Sequence, residues 1–364
     1  MSSRITLIDR HGTVQQDLPH TPARVRLGGD IVISFALLGC GRIGAMHARN
    51  LAQASGARLA TVFDPNTDAA KTAAEANGCT VSSSAEAAIN AADAVLIATS
   101  TATHADLIEV AAKAGKAILC EKPIDLSLDR VKACRKAIEG CGVPIQIGFN
   151  RRFDPGHRAA RDARAAGKIG TLEQVIITSR DPGLAPRAYL AVSGGIFRDM
   201  MIHDFDLARF MLGEEPTEVF AAGSALVDPS LATEFGDVDT AMVIMRTASG
   251  KLCHINNSRR ASYGYDQRVE LFGSEGMVIS DNRRAHELKA FSGTATGVSE
   301  PYLNFFVERY AEAFGAEIAA FVAAIRDATP TQATFDDGHR ALALAEAAVA
   351  SISRGGFVPV ESVG

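Results

Sequence analysis

Residues 31–38 (IVISFALL) form an almost unbroken apolar run that stops at Gly39. A short run with no polar face predicts a strand buried on both sides, as in a parallel sheet. The same signal returns at Arg58–Phe63, Ala94–Thr99, Ala117–Cys120 and Ile145–Phe149. Between these runs lie helical stretches: an Ala-rich one to about Ala54, then Asp68–Asn77, His104–Ala114 and Leu128–Glu139. Strands alternating with helices predict a doubly wound parallel sheet. The alternation stops near Phe149.

Beyond that point the pattern changes. Leu172–Ser179, Val219–Leu226, Thr240–Arg246, Lys251–Ser258 and Val269–Gly273 read as strands, several with period-two alternation and some joined by short turns such as Ala248-Ser249-Gly250. Such connections predict a large, mainly antiparallel open sheet. Helices are expected near Gly156–Ala166, Asp199–Leu212, Tyr302–Ile325 and Asp337–Ile352. The fold class is therefore α/β. Residues 1–30 form an extension, 31–150 a nucleotide-binding domain of Rossmann type, and 151–364 a second α/β domain for substrate and assembly.

Composition narrows the field. At 364 residues, 47% hydrophobic and 22% charged, the chain is an ordinary globular one that can bury a large core. A net charge of -5 gives no broad basic field for nucleic acid or an anionic membrane. No apolar run is long enough to span a bilayer, and the leader lacks a secretory apolar core, so the reading is cytoplasmic. The six cysteines show no C-x-x-C pair and read as reduced thiols; no metal site is expected.

Candidate chemistry begins at Gly39-Cys40-Gly41-Arg42-Ile43-Gly44. A G-x-G-x-x-G counts when it follows a strand and opens a helix, as here. Gly39 permits the turn, Gly41 lets a pyrophosphate approach the backbone, and Gly44 lets helix and strand pack closely. Arg42 and Ile43 lie within the same loop. The helix start then offers free N–H groups and a positive dipole to phosphate. Asp64 ends the second strand, where an acid accepts from a ribose 2′-OH and repels a 2′-phosphate. No Arg or Lys follows immediately, so NAD is favoured over NADP, although Asp64 also fits a turn role beside Pro65-Asn66. Thr99, Thr101 and His104 follow the next strand and count as cofactor contacts; a capping role for their segment is the plain alternative. Glu121 and Lys122 follow Ala117–Cys120, at the same edge of the sheet. A lysine there can donate to a substrate hydroxyl or favour a developing alkoxide.

On a continuous helix Asp199–Leu212, Asp199, His203 and Asp206 share one narrow face. The rest of that surface is largely apolar, so the stripe is buried and needs partners. His203 is a candidate general base, and Asp199 can orient it or bind a hydroxyl; a structural His–Asp bond is the alternative.

Together, G-C-G-R-I-G, E-K-P and the D-x-x-x-H stretch after Ser193-Gly194-Gly195 resemble the Gfo/Idh/MocA oxidoreductase family over roughly residues 31–355. Within it, residues 195–206, 257–268 and 148–154 are similar to inositol 2-dehydrogenases. The resemblance implies a catalytic trio of Lys122, Asp199 and His203, with His203 taking the hydroxyl proton. It implies NAD as cofactor and a small polyol as substrate: myo-inositol going to 2-keto-myo-inositol, with another inositol isomer or a sugar as alternative. It adds Arg152 and Tyr263 as substrate contacts, and a homo-oligomer, dimer or tetramer, built through the sheet face. A non-catalytic NAD(P)-binding sensor of the same fold is the reading from another class; retention of all three residues weighs against it.

Overall fold

The computed structural model describes residues 25–27 and 30–360. Most of the expected leader lies outside the described residues. Six parallel strands form the first sheet: Asp30–Leu38, Ala57–Phe63, Thr80–Val81, Ala94–Ile97, Ala117–Cys120 and Ile145–Ile147. Numbered in chain order they lie 3-2-1-4-5-6, the doubly wound order in which connections reverse between strands one and four. Val25–Leu27 adds antiparallel to the start of the first strand. The apolar runs explain the layer: Phe35, Leu37, Val95, Leu96, Ile97 and Ile118 have no exposed surface.

The helix expected from Asp68 begins at Thr67 because Asn66 caps it, accepting from the N–H groups of Asp68 and Ala69. Gly78 closes it in the left-handed conformation.

The second sheet has seven strands. Across the sheet they run Gly276–Ser280, Asp266–Gly273, Leu172–Arg180, Leu252–Ser258, Thr240–Thr247, Pro216–Ser224 and Val358–Pro359. All pairs are antiparallel except Leu172–Arg180 with Leu252–Ser258. Helices Ile202–Leu212, Phe335–Arg354 and Pro155–Ala165 cover one face.

Two expectations need correction. Residues 199–212 are not one helix: Gly195–Asp199 ends, Met200 and Met201 turn, and Ile202–Leu212 begins. Both Met200 and Met201 N–H groups return to the Ile196 carbonyl, which breaks the regular ladder. Second, helicity expected from Tyr302 starts at Phe306–Arg309 and continues as Ala311–Asp327. Helix Ala311–Asp327, from the C-terminal half, also reaches the first sheet. Its Ile318, Phe321 and Val322 pack with Ile33, Phe35 and Leu37 of the first sheet, and the Phe35 and Phe321 rings meet edge-on at 6.1 Å.

Candidate active site

The glycine loop leaves the first strand at the reversal point of the sheet. Gly39 has φ +92°, and a Cβ there would lie 2.5 Å from the Ala98 carbonyl oxygen, so no larger residue fits. A Cβ on Gly44 would lie 1.9 Å from the Gly39 carbonyl oxygen, which shows how tightly the helix start sits on the turn. Gly41 is the opposite case: a Cβ there meets nothing within 4 Å, and the residue is exposed. The loop is thus closed on its protein side and open where a diphosphate would approach. Asp64 braces it, accepting from the Cys40 N–H at 2.7 Å and the Asn66 N–H at 2.8 Å. The open backbone at Gly41, the uncapped start of helix Arg42–Gln53 and the acid at the end of strand two fit a dinucleotide with an unphosphorylated ribose.

From this loop a cleft of about 670 Å³ runs toward the second sheet. Arg42, Ile43, Thr99, Thr101, His104, Glu121, Lys122, Asp199 and His203 all line it, so the tertiary fold gathers nine expected residues from distant parts of the chain. His104 is fixed in the wall, with Nδ1 2.8 Å from the Pro123 carbonyl and Nε2 3.1 Å from the Thr99 carbonyl. Thr99 and Thr103 share a hydroxyl–hydroxyl bond of 2.7 Å. The Lys122–Pro123 peptide is cis. The Lys122 ammonium donates to the backbone carbonyl of Asp199 at 3.0 Å.

The Asp199 carboxylate is held elsewhere than expected. Tyr189 donates its hydroxyl to Oδ1 at 2.6 Å, and both terminal nitrogens of Arg259 reach Oδ2 at 3.2 Å. His203 therefore does not rest on Asp199: its Nδ1 is buried and without a partner, leaving Nε2 for the cleft. Burial first, then the charges of Lys122 and Arg151, push the His203 pKa well below the ordinary histidine value, so the ring is neutral at neutral pH.

Gly39, Gly41, Gly44 and Asp64 are outside the cleft's lining, in and beside the glycine loop, and three further candidates sit away from it. Asp206, grouped with Asp199 and His203 by helical spacing, faces the core and takes a two-pronged ion pair from Arg152. Arg152 is also bound to Asp337 and the Gln332 carbonyl, so its guanidinium is spent on packing and it does not line the cleft. Its neighbour Arg151 does. From the turn Asn150–Phe153, Arg151 pairs with buried Asp204 at the cleft wall and Arg152 with Asp206, which adjacency in sequence does not disclose. Tyr263 does not line the cleft either; its hydroxyl donates to Asp266 at 2.7 Å and accepts from Arg180.

The cleft also contains residues the sequence reading missed, notably Asn150, Asp181, Tyr189, Arg259 and Tyr265. Asp181 follows strand Leu172–Arg180 by one position, a strand-end signal that could have marked it. Its pKa is pushed up to about 6, chiefly by burial and by the charge of Asp199, against the pull of Arg259. Tyr189 lies in a short helix after a Pro/Gly-rich loop and carries no motif.

Comparison with known proteins agrees with this fold. Residues 33–149 match the oxidoreductase family with an NAD-binding Rossmann fold, and residues 157–279 match the GFO/IDH/MocA C-terminal domain. An inositol 2-dehydrogenase of Rhizobium meliloti is 49% identical over 89% of this chain and 98% of its own length. The crystal structure of a myo-inositol dehydrogenase from Corynebacterium glutamicum superposes with a TM-score of 0.88 at 42% identity, covering 92% of this chain and all (100%) of that one. A scyllo-inositol dehydrogenase from Lactobacillus casei, solved with NAD(H) and scyllo-inositol, gives 0.84 at 29% identity over 91% of this chain and 100% of its own. The two family domains in succession, the doubly wound sheet and the open glycine loop establish that the chain belongs to the Gfo/Idh/MocA oxidoreductases, enzymes with an NAD-binding Rossmann domain.

Proposed function

We propose that the protein oxidises one secondary hydroxyl of an inositol, with myo-inositol going to 2-keto-myo-inositol as the leading case. The observation that carries the reading is the meeting of Lys122, Asp199 and His203 beside the glycine loop, in a cleft whose lining also brings Asn150, Arg151, Asp181, Tyr189 and Arg259 among apolar side chains. The sequence relatives named for inositol dehydrogenation support it.

Bound NAD supplies the hydride acceptor at C4 of its nicotinamide. Gly39, Gly41 and Gly44, with Arg42 and Ile43, would hold the diphosphate end, and Asp64 would take the ribose hydroxyl. Thr99, Thr101, His104 and Glu121 form the wall between that end and Lys122. His203, neutral and with Nε2 toward the cleft, accepts the hydroxyl proton as the carbon gives up its hydride. The Lys122 ammonium faces the same hydroxyl and stabilises its developing negative charge. Asp199 contributes through both ends: its carbonyl holds Lys122, and its carboxylate is fixed by Tyr189 and Arg259. Asp181, Arg151 and Asn150 can pair the remaining hydroxyls, so a substrate lacking them leaves polar groups unpaired and is rejected.

The deciding assay is NADH formation with NAD and a panel of myo-, scyllo- and chiro-inositol and common aldoses. Turnover restricted to inositols supports the proposal and names the isomer. Turnover on an aldose alone replaces the substrate while keeping the chemistry. NAD binding with no turnover on any of them overturns the proposal in favour of a sensor.

A further inference from the structure

His47 lies three residues beyond Gly44, on helix Arg42–Gln53, and is only 1% exposed. It does not line the cleft. Its Nε2 is 2.7 Å from Glu121 Oε1, while Nδ1 has no partner. A carboxylate can only accept, so the imidazole proton sits on Nε2 and His47 is the donor. The Phe314 ring meets the imidazole edge-on at 5.7 Å and fixes its plane.

The second Glu121 oxygen, Oε2, accepts the backbone N–H of Lys122 at 3.3 Å. Gly148 makes room for this arrangement: a Cβ there would lie 3.0 Å from Oε2, tighter than an ordinary contact. Burial alone would raise the Glu121 pKa, but the His47 bond and the Lys122 charge outweigh it and hold the carboxyl below its ordinary value. The ionised form is the one that accepts from both neighbours. An unbroken path therefore runs from the dinucleotide helix through His47, Glu121 and Lys122 to the Asp199 carbonyl.

We infer that His47 is a positioning residue: through Glu121 it sets Lys122 against the reacting hydroxyl and ties that lysine to the helix that receives the dinucleotide. The inference rests on the role given to Lys122 under the proposed function. Misplacement of a catalytic group by about 1 Å can cost on the order of a hundredfold in rate, so a supporting bond at this point matters more than its own strength.

The test compares His47→Leu, His47→Gln and His47→Asn in the full chain. Glutamine carries an amide N–H at the reach of Nε2; asparagine does not reach that far. In His47→Leu and His47→Asn, kcat should fall on the order of tenfold or more, while NAD affinity by calorimetry stays within about twofold. His47→Gln should restore most of the rate. Full kcat in the leucine and asparagine variants overturns the inference. So does a loss of NAD affinity that matches the loss of kcat, or a glutamine variant as slow as asparagine. If the leucine variant does not fold, the glutamine–asparagine pair decides alone. A second readout needs no turnover: the rate at which trinitrobenzenesulfonate labels Lys122, followed by mass spectrometry, should change in the asparagine variant and return in the glutamine variant. Equal labelling in all variants overturns the positioning role, whereas a wild type that oxidises no polyol overturns only the proposed reaction.

Discussion

His203 and His47 are both buried, yet they meet different neighbours. His47 donates a hydrogen bond to a carboxylate, whereas His203, its Nδ1 unpartnered among the described residues, lines the cleft. With its pKa held well below the ordinary histidine value, His203 remains an acceptor in mildly acidic solution. The acid limb of kcat/KM should therefore fall below the usual histidine range. His203→Ala should lower kcat by about 10²–10⁴-fold, with NAD binding intact by calorimetry; unchanged turnover would remove the base assignment. Glu317 gives a second test at this scale. Among the described residues both its oxygens are buried without partners, and burial, then the Glu121 charge, raises its pKa well above the ordinary glutamate value. The folded protein then keeps a proton that the unfolded chain releases. Stability must fall as pH climbs from the ordinary glutamate value toward the raised one, by about 1.4 kcal/mol per pH unit. Below that window both states hold the proton and the dependence vanishes. Glu317→Gln should remove this slope and be more stable than wild type at neutral pH in urea unfolding; identical slopes would show that Glu317 is ionised in the fold.

At the scale of elements, the loop between the first strand and helix Arg42–Gln53 separates two uses of glycine. Gly44 answers a packing demand and Gly41 leaves room for a ligand. Gly44→Ala should force the helix off the turn and cost both stability and NAD affinity. Gly41→Val should fold with nearly wild-type thermal stability while weakening NAD several-fold, because the added side chain occupies the approach to the backbone. Equal effects on melting temperature would contradict that division. The break at Met200–Met201 is the other decisive element. A continuous helix would put Asp199 directly over His203; the turn sends the Asp199 carboxylate to Tyr189 and Arg259 and its carbonyl to Lys122. Helical spacing alone therefore named the right residues for the cleft but the wrong contact between them, and it carried Asp206 into the group although Arg152 holds it in the core.

Across the whole molecule, the cleft lies between two sheets, and helix Ala311–Asp327 returns from the C-terminal half to cover the first of them. Among the described residues, the second sheet is covered on one face only. On the other, Met242, Ile244, Leu252, Phe272, Met277 and Ile279 stand exposed, Ile279 at 52%. A broad apolar face of this kind marks an association surface. The expected assembly is a homo-oligomer formed across that face. The double substitution Met242→Glu with Ile244→Glu should then reduce the mass seen by light scattering to that of one chain. A wild type that is already monomeric would refute it.

Local sequence determined the parts whose cause is local. Apolar runs marked five of the six parallel strands, because a strand buried on both faces is mostly apolar, whereas the exposed pair Thr80–Val81 carries no such run. Gly39, Gly41 and Gly44 were legible because a tight turn and an open backbone demand glycine whatever surrounds them. Period-two alternation marked the second sheet, although the parallel pairing of Leu172–Arg180 with Leu252–Ser258 left no trace in it. Tertiary structure decided what depends on partners far along the chain. It sent Arg151 to the cleft and Arg152 to Asp206 and Asp337, brought Arg259 and Tyr189 to Asp199, and tied Tyr263 to Asp266 instead of the cleft. A polar side chain is directed by the charge it must satisfy once buried, and that charge is set by the fold rather than by its neighbours in sequence.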